Sequence, residues 1–149
     1  MALTRAQTES ILIRRTGRLL TAASLDGTTV SGANGDLNDP LASALRQCGL
    51  SVANIASVAD SDLASLADSD IDKLLDLAEL RTLESCLGNL DLVDVSAGPI
   101  SEKQGQLGTR LEAAIERKRA QITRTYGIGL GTLTSGLIDL GFQQQDACL

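Results

Sequence analysis

Between residues 70 and 89 the sequence DIDKLLDLAELRTLESCLGN is rich in helix formers and holds no glycine before Gly88. Wound at about 100° per residue, it sets Ile71, Leu74, Leu75 and Ala78 on one side and Leu80, Leu83 and Leu87 on the opposite one. A helix that is apolar on both sides must be covered on both sides. It is therefore the central helix of a bundle, or a helix that also packs against another subunit.

The cover has to come from aliphatic side chains, because hydrophobic residues make up 43 % of the 149-residue chain and aromatics only 1 %. Leu, Ile, Val and Ala fill helix interfaces well, so the expected fold is mainly α, a small helical bundle within one domain. "LTRAQTESILIRR" predicts a first helix over residues 4–18, with Thr4 and Gln7 spaced as a capping box and Leu3 placed as a staple. "DPLASALRQCG" puts Asp39 at an N-cap, Pro40 at the first helical position and Gly49 just past the end, which marks a short helix. The stretch between them is a turn-rich insertion over about residues 20–38, and Asp26-Gly27 between β-compatible runs predicts a short hairpin-like loop there. "SVADSDLASLADSD" offers Ser and Asp caps around Leu63 and Leu66, enough for one or two helical turns.

Beyond residue 89, "DLVDVSAGP" breaks the pattern with Val93, Val95 and Gly98-Pro99. A long helix is then predicted over about residues 101–126, its stripe formed by Leu107, Leu111, Ala114, Ile115, Ile122 and Tyr126. Gly105 and Gly108 each cost about 1 kcal/mol relative to Ala, so its first turns are expected to fray. After Gly127, "IGLGTLTSGLIDLGFQQQDACL" contains neither Lys nor Arg and only isolated apolar residues. This predicts a helical domain over 1–127 and an extended C-terminal arm over 128–149 that orders on a partner.

Nineteen acidic against thirteen basic residues give a net charge of −6, which argues against a general nucleic-acid or anionic-membrane binder. The three cysteines, Cys48, Cys86 and Cys148, are far apart and the chain has no histidine, so they form neither a zinc spacing nor a disulfide framework. A reducing cytoplasm is the compartment expected. No window approaches the roughly 20 apolar residues of a membrane span, and the start lacks an apolar run behind a basic tip, so a soluble, unsecreted chain is expected.

Candidate chemistry is sparse. "DSDIDKLLDLAE" alternates Asp68, Asp70 and Asp72 and sets Glu79 where the closing glutamate of an EF-hand loop stands. Such a loop requires glycine at its sixth position, where this chain has Lys73, and in a continuous helix Asp68 and Glu79 would lie about 16 Å apart along the axis. The simpler reading has Ser69 or Asp68 capping the helix, with Asp70 and Asp72 meeting the positive end of its dipole. The basic run with Arg117, Lys118, Arg119 and Arg124 alternates with Glu112 and Glu116 and lacks aromatic residues for stacking, so a solvated face or protein contact is expected. The glycines of "YGIGLG" follow a helix and lack a following lysine, unlike a phosphate loop. An isolated cysteine without a histidine base reads as a small apolar side chain. No catalytic residues, cofactor or metal ligands are predicted.

The segment "DKLLDLAELRTLESCLGNLDLVDVSAGPISEKQGQLGTRLEAAIERKRAQITRTYG" resembles the head-to-tail adaptor (connector, or head completion) proteins of tailed bacteriophages in its order of helix, "VDVSAGP"-like break and long helix. The resemblance implies a virion protein of the neck, made in the host bacterial cytoplasm, that forms a ring of copies, dodecameric by matching the portal. The ring docks beneath the portal, meets a tail or neck protein below, and continues a channel through which DNA passes without specific binding. On this reading Ile128, Leu130, Leu133, Leu137, Ile138, Leu140 and Phe142 of the arm touch the portal, and Leu80, Leu83, Leu87, Arg117 and Arg119 face a neighbouring copy. A second reading is a small intracellular helical regulatory or calcium-responsive interaction domain built on "DSDIDKLLDLAE".

Overall fold

The computed structural model describes residues 3–93 and 100–129, with the backbone alone for 91–93 and 100–104. Five α-helices follow in order: α1 (Arg5–Ala22), α2 (Asn38–Gln47), α3 (Asp60–Ala64), α4 (Ile71–Val93) and α5 (Ile100–Tyr126). No strand occurs among the described residues. The sequence break at residues 94–99, with Val95 and Gly98-Pro99, lies outside them, as do residues 130–149 of the expected arm.

The central helix is α4. α1 runs parallel to it, since Arg15 bonds to Asp76 and Glu79 near its start while Asn89, near its end, donates to the Ala23 carbonyl. α5 returns antiparallel, with Tyr126 at its end beside Asp76 and Arg119 beside Glu84. α2 covers a third side. Between them they bury Leu74, Leu77, Ala78, Leu80, Leu83 and Cys86 on all sides of α4. The two-sided pattern is thus satisfied within one chain, and Leu80 (1 % exposed) and Leu83 (4 %) are core residues rather than a face left for a neighbour. Leu87 is half-buried and packs on the same core. Each fully buried leucine contributes about 1.5–3 kcal/mol relative to remaining in water.

The ends of these helices follow their side chains. At α1, the Thr4 hydroxyl accepts from the Gln7 N–H and Gln7 Oε1 accepts from the Thr4 N–H, the predicted capping box. The helix continues four residues past Arg18, and Leu20, buried, is the last core residue it supplies. α2 starts differently from expectation. Asn34 caps a 3₁₀ turn over Gly35–Leu37 that runs directly into the α-helix, so Asp39 lies inside the first turn and not at the cap. Pro40 still falls where no N–H is required, and Gly49, at φ +84°, takes the left-handed conformation that ends the helix. A further 3₁₀ turn, Asp68–Asp70, leads into α4, with Ala67 ahead of it. α4 runs through Gly88 and Asn89 to Val93, because Cys86 and Leu90 on the next turns are held in the core. α5 is helical through Gly105 and Gly108, and buries Leu111, Ile115 and Ile122 of the predicted stripe.

No hairpin forms at Asp26-Gly27. The Asp26 carboxylate accepts from the Thr28 and Thr29 N–H groups at 3.0 and 2.9 Å, an Asx turn that takes up the amides a ladder would need. The Thr29 side chain, together with these amides, holds the Asp26 carboxyl down at about 2. The segment after α1 is instead fastened to the bundle by side chains. Gly27 packs against Gly17 of α1 so closely that a Cβ on Gly27 would meet the Gly17 carbonyl oxygen at 2.1 Å.

Candidate interaction surfaces and buried polar clusters

Two groups of charged side chains are largely buried. The first joins α1, α4 and α5. Lys118 occupies the α5 stripe between Ile115 and Ile122 and is only 9 % exposed. Its Nζ donates to Asp76 Oδ1 at 2.8 Å and to Glu79 Oε2 at 2.7 Å. Arg15 Nη1 reaches the same two oxygens at 3.2 and 3.0 Å, and the Tyr126 hydroxyl donates to Asp76 Oδ2 at 2.9 Å. Two cations thus face two carboxylates, and a phenol closes the remaining oxygen of Asp76.

Burial alone would raise the Asp76 carboxyl, but the hydrogen bonds from Lys118 and Tyr126, with the Lys118 and Arg15 charges, outweigh it and hold the group below its usual value. Tyr126 is pushed up to about 12 by burial, its bond to Asp76, and the Asp76 and Asp72 charges. The arrangement ties α1, α4 and α5 together as a clamp.

The second group anchors the loop. Arg5 and Glu9, one turn apart on α1, form a buried ion pair at 2.8 Å. Glu9 Oε1 also accepts from the Asn34 N–H at 2.9 Å, and its Oε2 accepts from the Ser31 and Gly32 N–H groups at 3.1 and 2.7 Å. Arg5 Nη2 donates to the Asn34 carbonyl at 2.9 Å, and its backbone N–H to Asp60 Oδ1 at 2.6 Å. Asn34 Nδ2 then spans the loop to the Asp26 and Thr29 carbonyls. Sequence reasoning did not single out Glu9. The signal was present, since Thr8, Glu9, Leu12 and Thr16 share one side of α1 and a carboxylate on a buried stripe requires partners.

The residues of the calcium-like stretch are dispersed. Asp72 to Glu79 lie on continuous α4, and Glu79 is directed at Lys118 and Arg15. Cys86 lies in the core, where burial lifts its thiol to about 11, and burial also raises the thiol of half-buried Cys48. These are packing side chains.

Of the residues expected at a subunit contact, Arg117 is exposed and bonds the Ala113 carbonyl, while Arg119 pairs with Glu84 at 2.9 Å and Glu116 at 3.2 Å. Ile128, expected on the portal side, packs half-buried against this chain's own core, so the compact part extends past residue 127. Leu130, Leu133, Leu137, Ile138, Leu140 and Phe142 lie outside the described residues.

Two open grooves flank Arg15. One, of about 500 Å³, runs along α1 beside Gly27 and is lined by Arg14, Arg15, Arg18 and Thr21. The other, of about 250 Å³, lies between α1 and α5, with Leu19, Leu83 and Ala114 among its lining residues and Arg117 and Lys118 on the α5 side. No helix among the described residues is long and apolar enough to cross a membrane. Comparison with protein-family models, curated proteins and solved structures found no match.

Proposed function

We propose that the protein is a non-enzymatic structural component of a tailed-phage virion, the head-to-tail adaptor that forms a ring beneath the portal and continues the DNA channel towards the tail. The observation that carries this reading is the antiparallel pair of α4 and α5. It coincides with the residues whose sequence resembles that family, and Asp76, Glu79, Lys118 and Tyr126 lock it. A rigid helical unit suits repetition about an axis, where every copy must present the same surface at the same angle. The chemistry agrees: the group of ionisable side chains gathered on α4 is neutralised internally and lies in a clamp between helices.

In this reading the segment from residue 130 onward meets the portal, and the net charge of −6 lets DNA move through the channel without adhering. The test is to recover a tagged copy from its native source under mild conditions and image the complex by electron microscopy. Rings coaxial with a portal-like channel are expected. A lone copy bound to a soluble cellular partner would overturn the proposal.

A further inference from the structure

Two patches of opposite charge stand on the described surface. Arg14 and Arg18 are exposed, stand four residues apart on one row of α1 with Thr21, and line the 500 Å³ groove. Neither forms an ion pair among the described residues, whereas Arg15 between them is committed to Asp76 and Glu79. The nearest loop carboxylate, Asp26, is occupied by the Thr28 and Thr29 N–H groups.

The opposite sign gathers elsewhere. Residues 60–72 contain five aspartates and no basic residue. Within that run Asp62 is buried and accepts from the Ala53 and Ala59 N–H groups, and Asp60 accepts from the Arg5 N–H. Asp70, half-buried at the end of the 3₁₀ turn, and exposed Asp72, in the first turn of α4, form no ion pair among the described residues, and Asp70 and Lys73 both lie near Cys48 just past α2. Among the described residues no ion pair joins the arginine row to this acidic edge within one copy.

We infer that the Arg14/Arg18 groove of one copy receives the Asp70/Asp72 edge of the next, a head-to-tail contact between two different patches. Such a contact is heterologous, and repeated with a closing rotation it generates a ring; the inference rests on the adaptor reading above and names its subunit contact. A second copy fits this groove better than nucleic acid does. Two unpaired cations would release few counterions, and no aromatic residue lines the groove. The acidic edge, by contrast, is supplied by every copy. Guanidinium forks match carboxylates in pairs, so the contact fixes register as well as sign.

The test is sedimentation velocity on the full chain, with the charge reversals R14E/R18E in one variant and D70R/D72R in another. Arg14, Arg18 and Asp72 are exposed and Asp70 is half-buried, and equal thermal midpoints would establish that both variants fold. The wild type should self-associate, with association weakened about 10-fold on raising the salt so that the screening length falls from about 10 Å to about 3 Å. Each variant alone should lose it by a similar factor, and an equimolar mixture of the two should regain it, because each variant's groove then matches the other's edge. Wild type and variants associating alike would overturn the contact while leaving the ring to electron microscopy. A monomeric wild type with no association in the mixture would overturn it equally. Loss of duplex DNA binding in R14E/R18E with association unchanged would reassign the groove to nucleic acid.

Discussion

Lys118 of α5 and Asp76 of α4 meet at 2.8 Å across the interface of their helices, with Glu79 and Arg15 completing a balanced set of four charges. Removing Lys118 leaves the carboxylates of Asp76 and Glu79 to share one cation, the exposed Arg15, and a largely buried charge without its partner is more costly than none. Lys118→Ala should therefore destabilise the fold by about 2–4 kcal/mol, discounted from a fully buried pair for the partial exposure of Glu79. Urea unfolding measures this, and a change below about 0.5 kcal/mol, the range of neutral surface substitutions, would show that the clamp contributes nothing.

Tyr126, the only tyrosine in the chain, reports on the same clamp. Its hydroxyl is pushed up to about 12, so tyrosinate absorbance should appear about two pH units above that of the urea-unfolded chain, whose phenol titrates near 10. Because the folded value is the higher one, the stabilisation is present in full below pH 10 and is lost as the pH rises from about 10 to 12. Asp76 works in the opposite direction. Its folded value is depressed, so its contribution is present above the ordinary carboxylate range and is lost as the pH falls below about 4. Tyr126→Phe should abolish the alkaline loss and cost about 1 kcal/mol at neutral pH; an unchanged alkaline limb in that variant would contradict the assignment.

Glu9 holds three loop amides and the Arg5 guanidinium. Glu9→Ala leaves a buried cation without its partner and should cost about 3–5 kcal/mol. The loss should be local before it is global. Amide hydrogen exchange at Ser31, Gly32 and Asn34 should accelerate under conditions where the core of α4 remains protected.

Gly17 sits within a helix, where alanine is ordinarily favoured by about 1 kcal/mol. Here a Cβ would lie 2.6 Å from the Gly27 carbonyl oxygen, which is backbone and has no flexible end to move. Gly17→Ala should accordingly lower the thermal midpoint, and Gly27→Ala, with its 2.1 Å approach, should lower it further. A rise in the midpoint for Gly17→Ala would mean that the loop does not press on α1.

The sequence was most informative where one residue type decides a local matter. The Thr4/Gln7 capping box, the Gly49 terminator and the stripe of Leu111, Ile115 and Ile122 act over one or two turns and were legible. Asp26-Gly27 misled because a hairpin signal and an Asx turn share the same residues, and only the Asp26 carboxylate's capture of two amides separates them. The cover for Leu80 and Leu83 was ambiguous for a different reason: a two-sided helix specifies that it is covered and not by which chain. Lys118 read as part of a basic face because its partners lie 39 and 42 residues away. Glu9 bonds amides 22 to 25 residues distant, a separation at which no spacing rule operates.

The Tyr126–Asp76 bond also has a mechanical meaning. It joins the last residue of α5 to the second turn of α4, directly before the chain passes Gly127. A pull on the chain beyond Ile128 first strips the packing of that residue, then loads this bond, with Lys118 two turns behind it. Because Asp76 is tied in turn to Arg15, the force divides between α4 and α1 and is not left on a single helix end. The bundle is therefore reinforced at the place where its C-terminal strand of chain would carry tension.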